Sequence, residues 1–215
     1  SRLETTRHLV SALATLAKPP SVLVNASAVG YFGTSLDGRF EESSPAGQDF
    51  LARLCQKWEQ AAAEKPAATR LVVLRIGIVL SSQGGALAKM LPVFRAGFGG
   101  PIGSGQQWMS WIERGDLCRI IQSSLETDSW SGVINAVAPD PVTMSVFAGS
   151  LGRCLGRPSL LPVPGPMLQL LLGDGSKVVL EGQFVRSSRL EALGFNFLCP
   201  TLPVALDVAT SSSNR

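Results

Sequence analysis

Ser27 and Tyr31, four residues apart, are the side chains best placed for chemistry in this chain. They follow Ser21-Val22-Leu23-Val24-Asn25-Ala26, a short apolar run of the kind that forms a strand buried on both faces. In an open parallel sheet, ligands sit beyond the carboxyl ends of the strands, so Ser27, Ala28 and Tyr31 fall where a reaction would take place. A serine hydroxyl there can hydrogen-bond a substrate carbonyl or hydroxyl. A tyrosine can pass a proton if a nearby ammonium lowers its pKa from about 10. Tyr31 is the single tyrosine, and Ser35, not a lysine, stands four residues on, so the sequence supplies no ammonium. The plainer reading of the pair is a packed tyrosine beside a turn serine.

Other reactive residue types carry two readings each. Arg2, at a helix start beside the inferred sheet edge, is a phosphate or ribose contact or a solvated arginine. Arg75, inside an apolar run, suits a structural ion pair better than a ligand contact. Asp116 reads as a helix cap or as a carboxylate orienting a loop. Trp108 and Trp111 wall a pocket or fill a core. Residues 97–105, Gly-Phe-Gly-Gly-Pro-Ile-Gly-Ser-Gly, have the glycine content of a phosphate loop. A dinucleotide fingerprint, however, follows a strand and opens a helix. This segment follows a helical pattern and precedes a strand-like one, so it reads as a helix ended by glycine and running into a substrate loop. His8, the single histidine, lies in a helical pattern and makes a poor member of a Ser-His-Asp triad. Cys55, Cys118, Cys154 and Cys199 are far apart with no C-x-x-C, which disfavours zinc and fits reduced thiols.

Periodicity supplies the elements that position these residues. Leu3, Thr6, Val10, Leu13 and Leu16/Ala17 recur at helical spacing until Lys18-Pro19-Pro20. Residues 34–48 form a Gly/Ser/Pro-rich loop carrying Asp37, Glu41 and Glu42. A helix is expected from about Asp49 to Glu64, with Leu54/Cys55, Trp58 and Ala61/Ala62 on its apolar stripe. Leu71 to Ile76 is a second buried strand, so strand, helix and strand make a βαβ crossover. A helix bearing Met90, Leu91 and Phe94 follows Gly84-Gly85, and 107–112 reads as one short strand. Asp116 begins a helix to about Leu125, Gly132 to Val137 is a third buried strand, and Thr143 caps a helix through Leu155. From Pro158 the pattern is broken by prolines and ends in a helix near Leu202 to Val208, with a frayed tail. The fold class expected is α/β: part of a Rossmann-type parallel sheet with flanking helices over 1–157, and a small α-rich C-terminal lobe over 158–215.

Composition bounds the function. Across 215 residues, 45% hydrophobic and 16% charged content describes a well-buried globular chain. A net charge of +3 with scattered basic residues gives no nucleic-acid stripe. No apolar run reaches the roughly 18 residues of a membrane span; the run from Leu160 to Leu172 is cut by Pro162, Pro164 and Pro166. The start, Ser-Arg-Leu-Glu-Thr-Thr, lacks methionine and a secretory pattern and suggests a truncated or processed product in a cytoplasmic setting.

Five segments carry a resemblance. They are Ser-Arg-Leu-Glu-Thr-Thr (1–6), Asn-Ala-Ser-Ala-Val-Gly-Tyr-Phe-Gly (25–33), Asp-Phe-Leu-Ala with Lys-Trp-Glu-Gln-Ala-Ala (49–62), Leu-Arg-Ile-Gly-Ile-Val-Leu-Ser (74–81) and Gly-Gly-Pro-Ile-Gly-Ser-Gly-Gln-Gln-Trp-Met-Ser-Trp-Ile (99–112). Together they resemble the epimerase-family branch of extended short-chain dehydrogenases/reductases, the YfcH-like group. Leu180-Glu-Gly-Gln and Leu193-Gly-Phe-Asn-Phe resemble that group's small C-terminal domain.

The resemblance implies a Rossmann fold, NADP(H) as cofactor, and a sugar-like or other small carbonyl/hydroxyl substrate. It places Arg2 near the cofactor phosphate or ribose, Ser27 at the catalytic-serine position and, with Ala28 and Gly77, against the cofactor, and Ile78 and Val79 beside its nicotinamide end. Tyr31 is then the candidate proton donor. The family's Gly-rich fingerprint lies N-terminal to the matched segments. The superfamily's Tyr-x-x-x-Lys falls at Leu51 to Cys55, where neither residue stands. Some relatives, cyanobacterial and plastid, carry a SulA-like cell-division label, which implies a non-catalytic cofactor-binding regulator as the alternative. The partners expected are a small molecule and either a second copy of the chain or a segment completing the sheet. An incomplete sheet would leave a bare edge at Val22 to Val24.

Overall fold

Three short runs rich in valine, leucine and isoleucine build the sheet on which everything else rests. The computed structural model describes residues 1–159 and 182–211. Strands β1 (Val22–Ala28), β3 (Arg70–Ile76) and β7 (Gly132–Ala136) lie side by side, all parallel, in the order β1-β3-β7. Between β1 and β3 run a 3-10 turn (Val29–Phe32), the two-residue strand β2 (Arg39–Phe40) and helix α2 (Phe50–Ala63). The preceding helix α1 (Arg2–Ala14) packs on α2 and is tied to it where Trp58 Nε1 donates to Thr6 Oγ1 at 2.8 Å.

The two faces of this sheet differ in kind, because side chains alternate along a strand. One face carries Val22, Val24, Val72, Leu74, Ile76, Ile134 and Ala136. These pack with Ile120 of helix α4 (Arg114–Glu126) and with Trp130. The opposite face presents Ser27 and Arg75, paired in register with Asn135 beyond, toward α2. All three are buried. A sheet apolar on one side and polar on the other at its carboxyl end is the physical origin of the site described below. Among the described residues, no strand pairs with the free edge of β1, the bare margin expected there.

Past Ile76 the chain bends at Gly77 into β4 (Ile78–Leu80), which pairs parallel with β6 (Trp111–Glu113). A Cβ at Gly77 would stand 2.5 Å from the Ser110 carbonyl oxygen, so only glycine allows this approach. Beyond the bend lies a second core. Leu80, helix α3 (Gly85–Arg95) through Met90 and Phe94, and Trp111 meet helix α5 (Met144–Leu155) through Met144 and Phe147. Helix α7 (Leu202–Ser211) enters the same core through Leu202, Ala205, Leu206 and Ala209. Strand β9 (Phe184–Val185) pairs parallel with β2, strand β5 (Trp108–Met109) pairs antiparallel with β8 (Val142–Thr143), and helix α6 (Ser188–Ala192) follows β9.

Three local expectations change. The first helix stops at Ala14, short of Ala17. Residues 107–112 form two strands, because the Ser110 hydroxyl between them donates to the Gln183 carbonyl (2.8 Å) and accepts from Val185 N–H (2.9 Å). Helix α4 is capped by Glu113, which accepts from Gly115 and Asp116 amides; Asp116 is not the cap. The Asp116 carboxylate instead accepts from the amides of Leu198 (2.9 Å) and Cys199 (2.8 Å) and pairs with Arg119, the loop-orienting role. Asp49 and Thr143 cap α2 and α5 through side-chain oxygens. The proline-broken run at 160–172 and the tail at 212–215 lie outside the described residues. Among the described residues no helix is long and apolar enough to cross a membrane.

Leu74→Ala, in the fully packed face of β3, is expected to cost about 2–5 kcal/mol. Phe98→Ala, at a position exposed by 71%, is expected to change stability by less than about 0.5 kcal/mol. Urea unfolding of both variants reads the contrast.

Candidate functional site

Ser27 does not project past the end of its strand. It sits within β1, is 4% exposed, and its hydroxyl donates to Glu59 Oε1 at 2.6 Å. Glu59 lies on α2, and its carboxylate is gripped from the other side by Arg75. Nε donates to Oε1 and Nη2 to Oε2, each at 2.9 Å, in the two-pronged geometry that suits a guanidinium. The two side chains are 4% and 13% exposed, so the pair is largely out of water. Arg75 Nη1 also donates to the Glu42 carbonyl at 3.2 Å.

Arg75 answers the question that the sequence left open at Tyr31. Its guanidinium carbon lies 3.3 Å from the centroid of the Tyr31 ring and 5.1 Å from that of Phe32. The cation rests on the ring's negative face, which orients the tyrosine. Arginine stays charged at every ordinary pH, so it fixes the ring and gives up no proton. Phe32 stacks on Phe40 at 5.3 Å and meets Tyr31 edge-on at 5.4 Å, extending an aromatic wall away from the cluster.

Cys55 completes the cluster one turn before Glu59. Burial pushes its thiol above the ordinary 9.0, against hydrogen bonds from the Ala28 backbone and the Ser27 side chain; Glu59 adds to the rise and Arg75 opposes it. Burial thus favours the neutral thiol at this position. Glu42, in the loop after β2, is equally engaged. Its Oε1 accepts from Asn135 N–H (3.0 Å) and Ser187 Oγ (2.5 Å), and its Oε2 from Ser188 Oγ (2.9 Å). Asn135 Nδ2 donates to the Arg186 carbonyl at 2.8 Å, while its buried Oδ1 has no hydrogen-bond partner among the described residues.

The structure brings Ser27, Tyr31 and Arg75 together at the carboxyl ends of β1 and β3, with half-buried Ala28 at the end of β1. Gly77, Ile78 and Val79 continue from the end of β3. Val79 lines a concavity of about 340 Å³ with Ser81, Gln83, Gly84, Gly85 and Arg114. Arg2 stands apart, exposed on α1 with its guanidinium 5.5 Å from the Trp58 ring. Trp111 is fully buried, and Trp108 is half-buried with its Nε1 donating to the Leu36 carbonyl. Sequence reasoning missed Glu59 and Glu42. The signal for Glu59 was present: with Ala52, Cys55 and Ala62 it falls on the inward stripe of α2, where a carboxylate demands a cation.

A parallel α/β sheet with this polar face at its carboxyl edge defines a Rossmann-type protein. Comparison with known proteins sets the family. "Epimerase family protein SDR39U1" of Mus musculus is 43% identical over 208 residues, covering 96% of this chain and 71% of the relative. The chloroplastic SDR39U1 homolog of Arabidopsis thaliana is 51% identical over 178 residues, 83% of this chain. The chain belongs to the epimerase family of SDR39U1 proteins. It spans about half, 51%, of the Arabidopsis relative's length. A crystal structure of the human epimerase family protein SDR39U1 with NADPH superimposes with a TM-score of 0.92 at 41% identity, over 98% of this chain and 72% of that one. A domain of unknown function, DUF1731, matches residues 163–209.

Glu59→Ala strands the buried Arg75 charge and is expected to destabilise the chain by about 3–5 kcal/mol, read by chemical denaturation. A change under about 1 kcal/mol would show that the pair is not buried in solution. Cys55 is expected to resist alkylation at neutral pH while exposed Cys118 and Cys154 react. A thiol whose folded pKa is raised binds its proton more tightly when folded. Its contribution to stability is therefore full below pH 9 and is lost as pH rises through the folded value. Cys199, raised by burial and by Glu113 and Asp116, adds in the same direction.

Proposed function

We propose that this chain carries the nicotinamide-side and substrate-side parts of an atypical NADP(H)-dependent oxidoreductase or epimerase of the short-chain dehydrogenase/reductase class. In this reading residues 1–157 belong to the dinucleotide-binding domain and 158–215 to the family's small C-terminal domain. The observation that carries it is the close superposition on a human relative crystallised with NADPH. The local surface agrees: exposed Ala26 and half-buried Ala28, Ile78 and Val79 offer small and apolar side chains at the strand ends, where a nicotinamide ring can lie flat. NADP(H) would supply hydride transfer.

The chain's own residues would orient and exclude. Ser27, turned by Glu59, would have to release that carboxylate to hydrogen-bond a substrate carbonyl or hydroxyl. Tyr31, held flat by Arg75, is the nearest phenol that could move a proton. Arg2 is assigned to the phosphate or ribose end of the cofactor. The substrate class is a sugar-like or other small carbonyl/hydroxyl compound, and the setting is cytoplasmic or, for plant relatives, plastid.

Two observations favour the second reading, a non-catalytic cofactor-binding regulator, with a link to cell or plastid division as its most specific form. The Ser27 hydroxyl is committed to Glu59, and Cys55 gives no ammonium where the superfamily uses lysine. NADPH fluorescence separates the readings. It is titrated against this chain and against a fusion supplying the part of the human relative that the chain does not cover. Saturable binding by the fusion is expected. No binding by either protein sinks the dinucleotide reading. Binding without turnover in a broad carbonyl and nucleotide-sugar screen, with Ser27→Ala leaving affinity unchanged, establishes the regulator.

A further inference from the structure

Two arginines outside the site meet across one aromatic ring. Strands β2 and β9 pair in parallel, with Arg39 opposite Phe184 and Arg186 N–H donating to the Phe40 carbonyl at 2.9 Å. The guanidinium carbons of Arg39 and Arg186 lie 4.4 Å and 5.5 Å from the centroid of the same Phe184 ring. That ring is 6% exposed and is braced edge-on by Trp108 at 4.9 Å. Beside it opens a cavity of about 350 Å³ lined by Arg39, Arg186, Phe184, Glu41, Ser43 and Ser44.

Among the described residues, neither Arg39 nor Arg186 is ion-paired with a carboxylate. Glu42 keeps its negative charge, but its oxygens are turned to Asn135, Ser187 and Ser188 and pair with neither arginine. Among the described residues, Glu41 is the one carboxylate on the lining, against two guanidiniums. Ser44 Oγ accepts from the Glu41 amide at 2.9 Å, which leaves its proton to donate. Stacking on a ring uses the flat face of a guanidinium and leaves its N–H edge free for an oxyanion.

We propose that this cavity is an anion-binding site, separate from the Ser27–Glu59–Arg75 cluster, that takes the phosphate or diphosphate group of a small molecule. Its volume lies at the lower end of the roughly 300–1,000 Å³ range of small-molecule pockets, which suits a compact phosphorylated compound. Arg39 and Arg186 grip the oxygens, and Ser43 and Ser44 complete the cradle. The assignment uses no part of the dinucleotide reading, so each stands or falls without the other.

Inorganic pyrophosphate and inorganic phosphate, titrated into the full chain and followed by calorimetry and amide NMR, test it. Saturable pyrophosphate binding with shifts at residues 39–44 and 184–188 is expected. Arg39→Gln and Arg186→Gln should each weaken it by about tenfold or more, and Glu41→Gln should strengthen it. Both arginines are exposed, so the variants should fold, which circular dichroism verifies. Absence of saturable binding overturns the proposal, as does affinity unchanged in both arginine variants. Capture on phosphatidylcholine vesicles containing phosphatidic acid, without binding of pyrophosphate in solution, also overturns it by assigning the arginines to a lipid surface.

Discussion

The buried pair of Arg75 and Glu59 is the interaction around which the rest of the polar face is arranged. A guanidinium in the middle of a sheet and a carboxylate on the inward stripe of a helix are each unfavourable alone. Together they hold α2 over β3 at a fixed height and rotation, because the two-pronged contact tolerates little of either. The leftover capacity of each partner then recruits the neighbours. Glu59 takes the Ser27 hydroxyl, and Arg75 takes the Glu42 carbonyl and the face of Tyr31. An aliphatic pair of similar volume would pack α2 as well, but would leave serine and tyrosine with no fixed direction.

Much of the fold was legible because the elements announce themselves locally. The three sheet strands begin in or run through valine, leucine and isoleucine, α2 and α5 carry capping side chains at Asp49 and Thr143, and glycines end α3 where the pattern breaks. The boundary at Asp116 was misplaced because aspartate is a preferred N-cap type, whereas glutamate, three residues earlier at Glu113, is not. Only the amides of Leu198 and Cys199, more than eighty positions away in sequence, decide which is free to do it. The same limit applies to the loop at 34–48. Its composition reads as solvated, yet Glu42 is drawn to Asn135, Ser187 and Ser188, partners invisible to any local window.

The site was half legible for a related reason. Ser27 and Tyr31 could be found by their place after a strand, and Arg75 by its charge within one. Their roles depend on Glu59, which joins them across 32 and 16 positions of chain. A serine expected to face substrate is instead the donor to an internal carboxylate, and a tyrosine expected to need an ammonium is held by a guanidinium.

Helix α7 has a consequence for how this protein comes to be made. Its apolar side closes the cluster formed by Leu80, Met90, Trp111 and Phe147, and the segment just before it is fastened by Asp116. Until residue 209 has been translated, that cluster lacks the cover that α7 gives it. During synthesis the nascent chain therefore carries the β1-β3-β7 strands beside an apolar cleft that α7 has not yet covered. This interval is when chaperones have most to grip, and a chain ending before Leu202 would leave the cleft without the cover of α7.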